Sequence, residues 1–277
     1  MRGGPVTPAP HPVDLPPENV KPYSHGGWTM LRTVLCFVYA AVAVVGLVPV
    51  AAVALLLRAA GLGKAMAVMV YRVAQGWAKS IIAMTGCRMT VTGRENIPRE
   101  GGVCFVCNHS SITDILVLLA YAGRPVGFIA KKELLAVPVL NMWISVIGGL
   151  FIDRKNPRKA LATINRGVAR LKAGGGMIIF PEGSRSRGRG LQDFRPGAFK
   201  LATQSEAAIV PVAISGTYDL FEKTGRVVPC PVSVVFCEPV RVAEIPEADR
   251  KMVLADRVRG IIGEACGFAA AGTGVTG

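Results

Sequence analysis

Residues 33–57 form a stretch of 25 residues without a charged side chain, bounded by Arg32 and Arg58. About 20 consecutive apolar residues suffice to cross the hydrocarbon core of a bilayer, and the buried helices of soluble proteins rarely run this long. The stretch therefore predicts a membrane-embedded element, and the rest of the chain must fold beside it. Gly46 and Pro49 lie in its middle and permit either a kinked span or a re-entrant hairpin.

The chain is basic but apolar, and this combination narrows the class of partner. Its formal net charge is +14, yet only 18% of its 277 residues are charged, and its mean hydropathy is +0.42. Such a balance favours anionic membrane lipid. Nucleic acid is not an expected partner, because aromatic residues make up only 6% of the chain and no zinc-finger or RNA-recognition motif is present.

Cationic residues follow the uncharged stretch at short intervals and indicate its orientation. They are Arg58, Lys64, Arg72, Lys79 and Arg88. By the positive-inside rule, the chain after the stretch is predicted to face the cytoplasm. Residues 65–85 mix apolar and basic side chains, which is typical either of an amphipathic helix lying on the membrane surface or of a helix packed on a domain.

The folded part is predicted to follow the membrane segment. Four regions are predicted: a disordered proline-rich tail (1–30), a membrane-anchoring helical segment (31–86), a folded domain (87–265) and a flexible C-terminal tail (266–277). In the domain, predicted strands cover residues 88–92, 102–107, 125–130, 148–152, 176–180, 208–214 and 232–237. Predicted helices cover residues 114–122, 134–145, 158–173, 196–205 and 247–264. This alternation predicts an α/β fold in which helices cover a mixed central sheet.

The seven cysteines form no recognisable metal or disulfide pattern. Cys104 and Cys107 are spaced as a CxxC pair, but they lie in a predicted strand, where an odd spacing points the two side chains to opposite faces. No second CxxC or histidine pair completes a zinc site. All seven are interpreted as reduced structural cysteines in a domain facing the cytoplasm, and no metal is predicted.

Only one histidine is available to the folded domain, because His11 and His25 precede the uncharged stretch. This residue, His109, lies in the string NHSSITD at a predicted strand end, and Asp114 follows at a predicted helix start. Histidine can take up and return a proton near neutral pH, and a carboxylate on its far nitrogen stabilises the imidazolium. On one continuous helix the two side chains would lie about 140° apart. The pair therefore requires a turn, which the intervening serines and threonine favour.

Charged residues also follow two further predicted strands. Lys131 and Lys132 close one of them, and Asp153 and Arg154 follow the other in the string GGLFIDRKN. Active sites of α/β sheets gather at strand ends, so these residues are candidates for substrate binding. Arg154 needs an anionic partner, which is Asp153, Glu182 or a substrate.

A basic loop follows another predicted strand, in the string IIFPEGSRSRGRG that begins at residue 178. Gly183 would let the backbone approach a ligand closely, and the guanidinium groups of Arg185 and Arg187 match phosphate oxygens in a bidentate way. The alternative is a solvated or membrane-facing loop, which Arg189 in particular fits. A serine hydrolase and a P-loop site are poorly supported, because the chain has neither a G-x-S-x-G elbow nor a Walker A string.

Together these strings resemble the 1-acyl-sn-glycerol-3-phosphate acyltransferase family of bacterial membranes, within the wider glycerolipid acyltransferases. NHSSITD resembles the first family motif, NHxxxxD, while GGLFIDR resembles the second and FPEGSRSR the third. AIVPVAI resembles the proline-bearing fourth motif, and AKKELLAVPVLN resembles the segment between the first two. All motifs stand in the family's order, between about residues 85 and 240. Ser184 stands where the family usually has threonine.

The resemblance implies the glycerolipid acyltransferase fold and an acyl transfer. The donor would be acyl-CoA or acyl-acyl carrier protein, the acceptor the sn-2 hydroxyl of 1-acyl-sn-glycerol-3-phosphate, and the product phosphatidic acid. His109 would be the general base, oriented by Asp114, and Arg154 and Arg185 would hold the substrate phosphate. Further residues expected to bind substrate or shape its pocket are Lys131, Lys132, Glu182, Gly183, Ser184 and Arg187. No cofactor is expected, because a thioester is already activated. The implied location is the inner (cytoplasmic) membrane, with the catalytic domain on its cytoplasmic face.

Three alternatives remain open at this point. An acyltransferase of the same mechanism could act on another lysolipid or on glycerol-3-phosphate, since other lipid headgroups also contain phosphate. A non-catalytic lipid-binding membrane protein is disfavoured by the His109–Asp114 pair, because binding alone needs no base. A hydrolase would release free fatty acid without an acceptor lipid.

Overall fold

A mixed sheet of seven strands lies at the centre of the domain. The computed structural model describes residues 26–246, Arg250 and residues 253–267, and the seven strands lie within this part of the chain. They are β1 (Arg88–Thr92), β2 (Val103–Cys107), β3 (Val126–Lys131), β4 (Leu150–Ile152), β5 (Gly176–Ile179), β6 (Ala208–Ser215) and β7 (Pro231–Phe236). Their order is β1-β7-β6-β2-β5-β3-β4, and all neighbours are parallel except β6 and β7. The predicted mixed α/β fold is confirmed.

Eight α-helices accompany the sheet in the described residues. They are α1 (Gly26–Gly46), α2 (Val48–Ala59), α3 (Gly63–Thr85), α4 (Thr113–Tyr121), α5 (Leu140–Ile147), α6 (Pro157–Lys172), α7 (Lys200–Ser205) and α8 (Val253–Ala265). The helix predicted over 134–145 is wrong in its first half. Those residues divide into a 3-10 turn, Lys132–Ala136, and α5, because Pro138 lacks a backbone N–H and disfavours helical conformation before it. The helix predicted over 196–205 likewise starts as a 3-10 turn, Pro196–Phe199.

Strand β2 is buried on both faces and divides the core into two halves. Val103, Phe105 and Cys107 pack on one face with residues of α3, α4 and α5. Cys104 and Val106 pack on the other face with residues of α6, α7 and α8. The prediction that Cys104 and Cys107 point to opposite faces is confirmed, and all seven cysteines are free thiols. Since each fully buried valine or phenylalanine contributes ~1.5–3 kcal/mol, β2 gives the residues at its end a firm support.

Helix α3 packs on the domain. Tyr71 and Ile82 belong to the same core cluster as the buried face of α4. Gln75 Nε2 donates a hydrogen bond to the carbonyl oxygen of Ala120 in α4 (3.0 Å). Of the two interpretations offered for residues 65–85, the structure therefore shows the helix packed on the domain.

Helices α1 and α2 together contain a 33-residue apolar stretch, Gly27–Ala59, whose most apolar 18-residue window has a mean hydropathy of 2.7. It is long and apolar enough to cross a membrane, and only 11% of its most apolar 18-residue window is buried inside the protein. The stretch is interrupted at Leu47, and Pro49 lies in the first turn of α2, where a missing N–H is tolerated. The predicted membrane segment is thus observed as a candidate membrane helix.

Specific contacts attach α1 to the domain. The backbone N–H of Val227 donates to Oγ1 of Thr33 (2.8 Å). The rings of Phe37 and Phe221 lie with their centroids 5.5 Å apart. The apolar helix is therefore joined to the segment that connects β6 to β7.

The predicted terminal regions lie largely outside the described residues. This applies to the predicted N-terminal tail up to residue 25 and to the predicted C-terminal tail beyond Gly267. The helix predicted over 247–264 is observed from Val253 onward as α8.

A methyl group at Gly127 in β3 is expected to disrupt the sheet. A Cβ at this position would overlap the carbonyl oxygen of Gly148, which caps α5 two residues before β4, so relief of the overlap would displace β3 or the chain entering β4. We expect Gly127→Ala to lower the stability of detergent-purified protein by ~1–3 kcal/mol or more, since this range is typical of overpacking. The measurement is the thermal melting temperature.

Gly260 in α8 provides the matched control for this prediction. The space for a Cβ is open there, and alanine is preferred over glycine inside a helix by about 0.5–1 kcal/mol. Gly260→Ala is expected to leave the melting temperature unchanged or to raise it. A Gly127→Ala protein that melts like the wild type would show that the close approach of β3 to Gly148 is wrong.

Candidate active site

His109 and Asp114 face each other across a turn between β2 and α4. His109 lies two residues beyond the end of β2, and Asp114 is the second residue of α4. His109 Nδ1 is 2.8 Å from Asp114 Oδ2. The same carboxylate oxygen accepts the backbone N–H groups of Ser110 (2.8 Å) and Ser111 (2.9 Å). Because a carboxylate only accepts hydrogen bonds, Nδ1 carries the proton and Nε2 is the basic nitrogen of the ring.

The histidine ring is held from a second side by Phe180. The two rings are stacked, with centroids 4.0 Å apart and an interplanar angle of 22°. Asp114 is fully buried, whereas the His109 side chain remains 16% exposed. The ring is therefore fixed in orientation but still reachable from outside. Phe180 lies within the string IIFPEGSRSRGRG, but nothing in that string marks it as a ring partner.

Asn108 fastens the end of β2 to the neighbouring strand β6. Its Nδ2 donates to the carbonyl oxygen of Ile214 (2.8 Å), and its Oδ1 accepts the backbone N–H of Ile214 (2.8 Å). These two bonds extend the pairing between β2 and β6 by one residue. They fix the backbone position at which His109 follows. The sequence analysis did not single out Asn108, although it stands directly before His109 in the same string.

The loop after β6 forms hydrogen bonds with the turn between β2 and α4. Ser110 Oγ and Thr217 Oγ1 share a hydrogen bond (2.8 Å), and Thr113 Oγ1 donates to the carbonyl oxygen of Thr217 (3.4 Å). Thr217 is fully buried. It is a second residue that the sequence analysis missed, because its partners are more than a hundred positions away.

The basic loop binds both backbone polar groups of His109. Glu182 Oε1 accepts a hydrogen bond from the backbone N–H of His109 (2.7 Å). The backbone N–H of Ser186 donates to the carbonyl oxygen of His109 (2.7 Å). Glu182 is only 3% exposed. Burial raises the pKa of the Glu182 carboxyl group, and hydrogen bonds from the backbone of His109 and Gln192 oppose this rise. The loop after β5 is thus fixed beside the histidine.

Neither of the two protein carboxylates expected as a partner of Arg154 pairs with it. Arg154 Nη1 donates to the carbonyl oxygen of Gly183 (2.6 Å). Asp153 instead accepts a hydrogen bond from Lys132 Nζ (2.8 Å), because β4 pairs with β3 and places the two strand ends side by side. The carboxylate of Glu182 faces His109. Arg154 therefore lies against the basic loop and not in a local ion pair.

Arg185 forms an ion pair with Glu222, another residue that the sequence analysis missed. Glu222 ends the turn Tyr218–Glu222, which follows β6. Its carboxylate also accepts the backbone N–H of Ile112 (3.1 Å), in the turn between His109 and α4. No local pattern marks Glu222, because its partner Arg185 lies 37 positions earlier in the chain.

The remaining predicted substrate-binding residues are placed differently. Gly183 has φ +74°, and a Cβ there would lie 3.0 Å from Nε of Arg195. The backbone conformation therefore favours glycine, and Arg195 fills the space that was expected to face a ligand. The other three side chains are exposed at the surface: Lys131, Ser184 and Arg187.

An apolar cavity of about 580 Å³ lies against the turn between His109 and Asp114. Ile112 and Thr113 of this turn line one part of it. Its other walls come from α1, α3, α4, α5 and the segment between β6 and β7. The cavity has room for a hydrocarbon chain beside this turn.

Residues 88–215 match the protein-family model described as Acyltransferase. The chain is similar to the acyltransferase family over this segment, which makes up just under half of its length. The matched part of the chain includes every candidate site residue from His109 to Arg187 but not Glu222. A 1-acyl-sn-glycerol-3-phosphate acyltransferase of Borreliella burgdorferi is 33% identical over 140 residues, which cover 50% of this chain and 56% of that protein. A protein of the same description from Saccharomyces cerevisiae is 35% identical over 140 residues, which cover 50% of this chain and 46% of that protein. The chain thus spans about half the length of the curated relatives it matches.

The chain is also similar to a solved structure. The crystal structure of the 1-acyl-sn-glycerophosphate (LPA) acyltransferase PlsC from Thermotoga maritima aligns with a TM-score of 0.73 and 25% sequence identity. The alignment covers 86% of this chain and 95% of that chain. Since 86% of the chain exceeds residues 88–215, the similarity includes elements outside the family match.

The buried Glu182 carboxyl group predicts a pH dependence of stability. Burial raises its pKa above the ordinary 4.5, so the folded protein holds this proton more tightly than the unfolded chain. The stabilisation is present at acid pH and is lost as the pH rises through the folded pKa. Glu182→Gln keeps an oxygen for the His109 N–H and does not titrate. We therefore expect the stability of the wild type, relative to Glu182→Gln, to fall as the pH rises.

Urea unfolding at a series of pH values from about 4 upward measures this difference. The matched control is Glu264→Gln on the exposed face of α8, where the carboxyl group remains in water in both states. A wild-type protein that gains stability over Glu182→Gln with rising pH would contradict the sign of the shift.

Proposed function

We propose that this acyltransferase moves an acyl group from an acyl thioester to the sn-2 hydroxyl of 1-acyl-sn-glycerol-3-phosphate, forming phosphatidic acid. The observation that carries the proposal is the His109–Asp114 hydrogen bond of 2.8 Å, which lies between an apolar cavity and a basic loop. Such a transfer requires a base, space for a hydrocarbon chain and cations for a phosphate. Similar proteins named for the same reaction support the choice of acceptor.

His109 is the general base in this mechanism. Its Nε2 takes the proton of the acceptor hydroxyl while Nδ1 stays bonded to Asp114, which stabilises the imidazolium. The acceptor oxygen attacks the thioester carbonyl and forms a C–O bond. The tetrahedral intermediate then collapses, the C–S bond breaks, and the imidazolium returns its proton to the thiolate. No acyl-enzyme forms, because the acceptor oxygen attacks the donor directly.

Arg154 and Arg185 are proposed to bind the phosphate of the acceptor. Arg154 contacts the basic loop at Gly183, and Arg185 is part of that loop. Guanidinium groups pair with phosphate oxygens through two parallel hydrogen bonds. This pairing orients the phosphate in addition to attracting its charge. Glu182 and Gly183 are proposed to shape the pocket by fixing the loop beside His109. A supporting role in binding is proposed for four other residues: Lys131, Lys132, Ser184 and Arg187.

The apolar cavity is proposed to hold the acyl chain of the donor, which is acyl-CoA or acyl-acyl carrier protein. Ile112 and Thr113 line it and belong to the turn that carries the histidine pair. A chain in this cavity would therefore end beside the thioester carbonyl that the acceptor attacks. Burial of each methylene group contributes about 0.8 kcal/mol, so the cavity also selects for chain length.

The apolar stretch Gly27–Ala59 is proposed to embed the protein in the inner (cytoplasmic) membrane, with the catalytic domain facing the cytoplasm. The acceptor is a lipid and the donor is soluble, so the site must lie where the two meet. Arg58 and Lys64 at the end of the stretch support this orientation. The net positive charge of +14 would attract an anionic acceptor to the surface.

The same mechanism on another acceptor is the second candidate. Arg185 already shares its charge with Glu222, which would suit an acceptor with a less highly charged phosphate, such as the phosphodiester of a lysophospholipid. The assay must therefore compare acceptors directly.

Acyl transfer from a labelled acyl thioester, measured with detergent-purified protein, tests the proposal. The acceptors are lysophosphatidate, glycerol-3-phosphate, lysophosphatidylethanolamine and none. We expect phosphatidate with lysophosphatidate only, and a rate reduced ~10²–10⁴-fold in His109→Ala, because the general base is lost. Lys172→Ala, an exposed change on α6, is the control.

Each contrary outcome of this assay has a distinct meaning. Transfer to a different acceptor would move the substrate assignment and keep the mechanism. Free fatty acid released without acceptor would identify a hydrolase. A folded wild-type protein that transfers to no acceptor would leave lipid binding as the function.

A larger side chain in the cavity is expected to shorten the acyl chain that the enzyme accepts. Val73 of α3 lines the cavity, whereas Val68 of the same helix is exposed and does not. Val73→Trp should reduce kcat/KM for a long-chain donor more than for a short-chain donor, because the added ring occupies the space of terminal methylene groups. Val68→Trp should leave the ratio unchanged. An equal loss with both donors in Val73→Trp would argue against this use of the cavity.

A further inference from the structure

The Glu222 carboxylate touches two parts of the candidate site at once. It pairs with the guanidinium of Arg185 and accepts the backbone N–H of Ile112 (3.1 Å). The first contact is to the proposed phosphate-binding loop and the second is to the turn that carries His109. The Glu222 side chain is only 12% exposed, whereas Asp219 on the same turn is 52% exposed and pairs with Lys223 in solvent. Glu222 is therefore distinct from an ordinary surface carboxylate.

The turn Tyr218–Glu222 is itself held in place. The backbone N–H of Leu220 donates to Gly216 (3.1 Å), and the carbonyl oxygen of Leu220 accepts from Val228 (2.9 Å). The Leu220 side chain is buried in a cluster with Cys36 of α1 and Val227. The backbone at Glu222 is thus set by the fold, and the Ile112 N–H holds its carboxylate independently of Arg185.

Arg185 is the partner that needs ordering. Its side chain is 34% exposed and has several rotatable bonds, so an unpaired guanidinium would sample many positions. Fixing such a side chain when the ligand binds costs conformational entropy, which weakens binding. An ion pair that already holds the guanidinium removes this penalty before the ligand arrives. Since the guanidinium has five N–H donors, one carboxylate leaves others free for a phosphate.

We propose that Glu222 is a positioning residue that holds Arg185 ready for the phosphate group of the acceptor lipid. This inference rests on the proposed function for the identity of the ligand. The bond from Ile112 keeps the carboxylate in place when phosphate binds, so Glu222 supports the anion and is not displaced by it. The same carboxylate links the phosphate-binding arginine to the histidine turn and sets the distance between the phosphate and the reacting hydroxyl.

The opposite role predicts the opposite sign. A carboxylate that competes with phosphate for Arg185 would weaken binding of the acceptor, and its neutralisation would tighten binding. The two roles are therefore separated by the direction of one measured affinity.

The experiment measures the binding of lysophosphatidate in mixed nonionic detergent micelles by calorimetry, without the acyl donor. Glu222→Gln keeps the size of the side chain and an oxygen for the Ile112 N–H, but it removes the charge that holds Arg185. We expect affinity about tenfold weaker, the loss typical of one charge-assisted hydrogen bond. Asp219→Asn, the same charge change on the same turn, should bind like the wild type. Monoacylglycerol, which lacks the phosphate, should bind equally to all three proteins.

A double mutant separates positioning from a general structural effect. In an Arg185→Ala background, adding Glu222→Gln should cause no further loss of affinity, because the residue through which it acts is gone. A structural role would add its loss to that of Arg185→Ala. Glu222→Asp, which keeps the charge but withdraws it by one methylene group, should also weaken binding and serves if Glu222→Gln fails to fold.

Three results would overturn the inference: unchanged or tighter binding by Glu222→Gln, an additive loss in the double mutant, or no binding of lysophosphatidate by the wild type. The measurement needs no turnover, so it is independent of the acyl-transfer assay. A wild-type protein that binds lysophosphatidate through Arg185 and Glu222 but transfers no acyl group would refute the proposed function and leave this inference standing.

Discussion

The buried carboxylate of Asp114 is the group on which the site depends. A charge withdrawn from water is stable only when hydrogen-bond donors surround it. Here one oxygen accepts the ring N–H of His109 and the backbone N–H groups of Ser110 and Ser111. These bonds fix the turn between β2 and α4, and the first turn of α4 is itself a favourable place for negative charge. The orientation of the His109 ring and the shape of the turn are thus consequences of the same buried charge.

Parallel pairing brings the other parts of the site to this turn. Strands β5 and β6 flank β2 and run in its direction, so the chain leaves all three strands at one edge of the sheet. There Asn108 is bonded to Ile214, which lies 106 positions away, and His109 is bonded to Glu182, which lies 73 positions away. Backbone groups that would be unpaired at a strand end are satisfied by side chains of neighbouring loops. The site is therefore rigid without lying inside a regular element.

Local sequence patterns predicted much of the fold, but they did not predict which side chains contact each other. The seven strands were predicted to within two residues. Strands β2, β5 and β6 are buried on both faces and leave continuous apolar runs, whereas β1 and β7 alternate in burial. His109 and Asp114 were found from residue type and place alone. The partners of Arg154 and Arg185 were not, since a side chain's partner depends on which strands are neighbours, and periodicity within one segment carries no information on strand order. Pro138 is visible in the sequence. Because proline disfavours helical conformation in the residue before it, the helix should not have been predicted across this position.

Residues of α1 form part of the wall of the apolar cavity, and the same helix is bonded to the segment that carries Glu222. The helix is consequently not an interchangeable module. Under the proposed membrane attachment, an unrelated apolar helix of equal length would keep the protein at the bilayer and still open the cavity on one side. Mutations in this helix would then be constrained twice, by the lipid on its outer side and by the proposed acyl chain on its inner side.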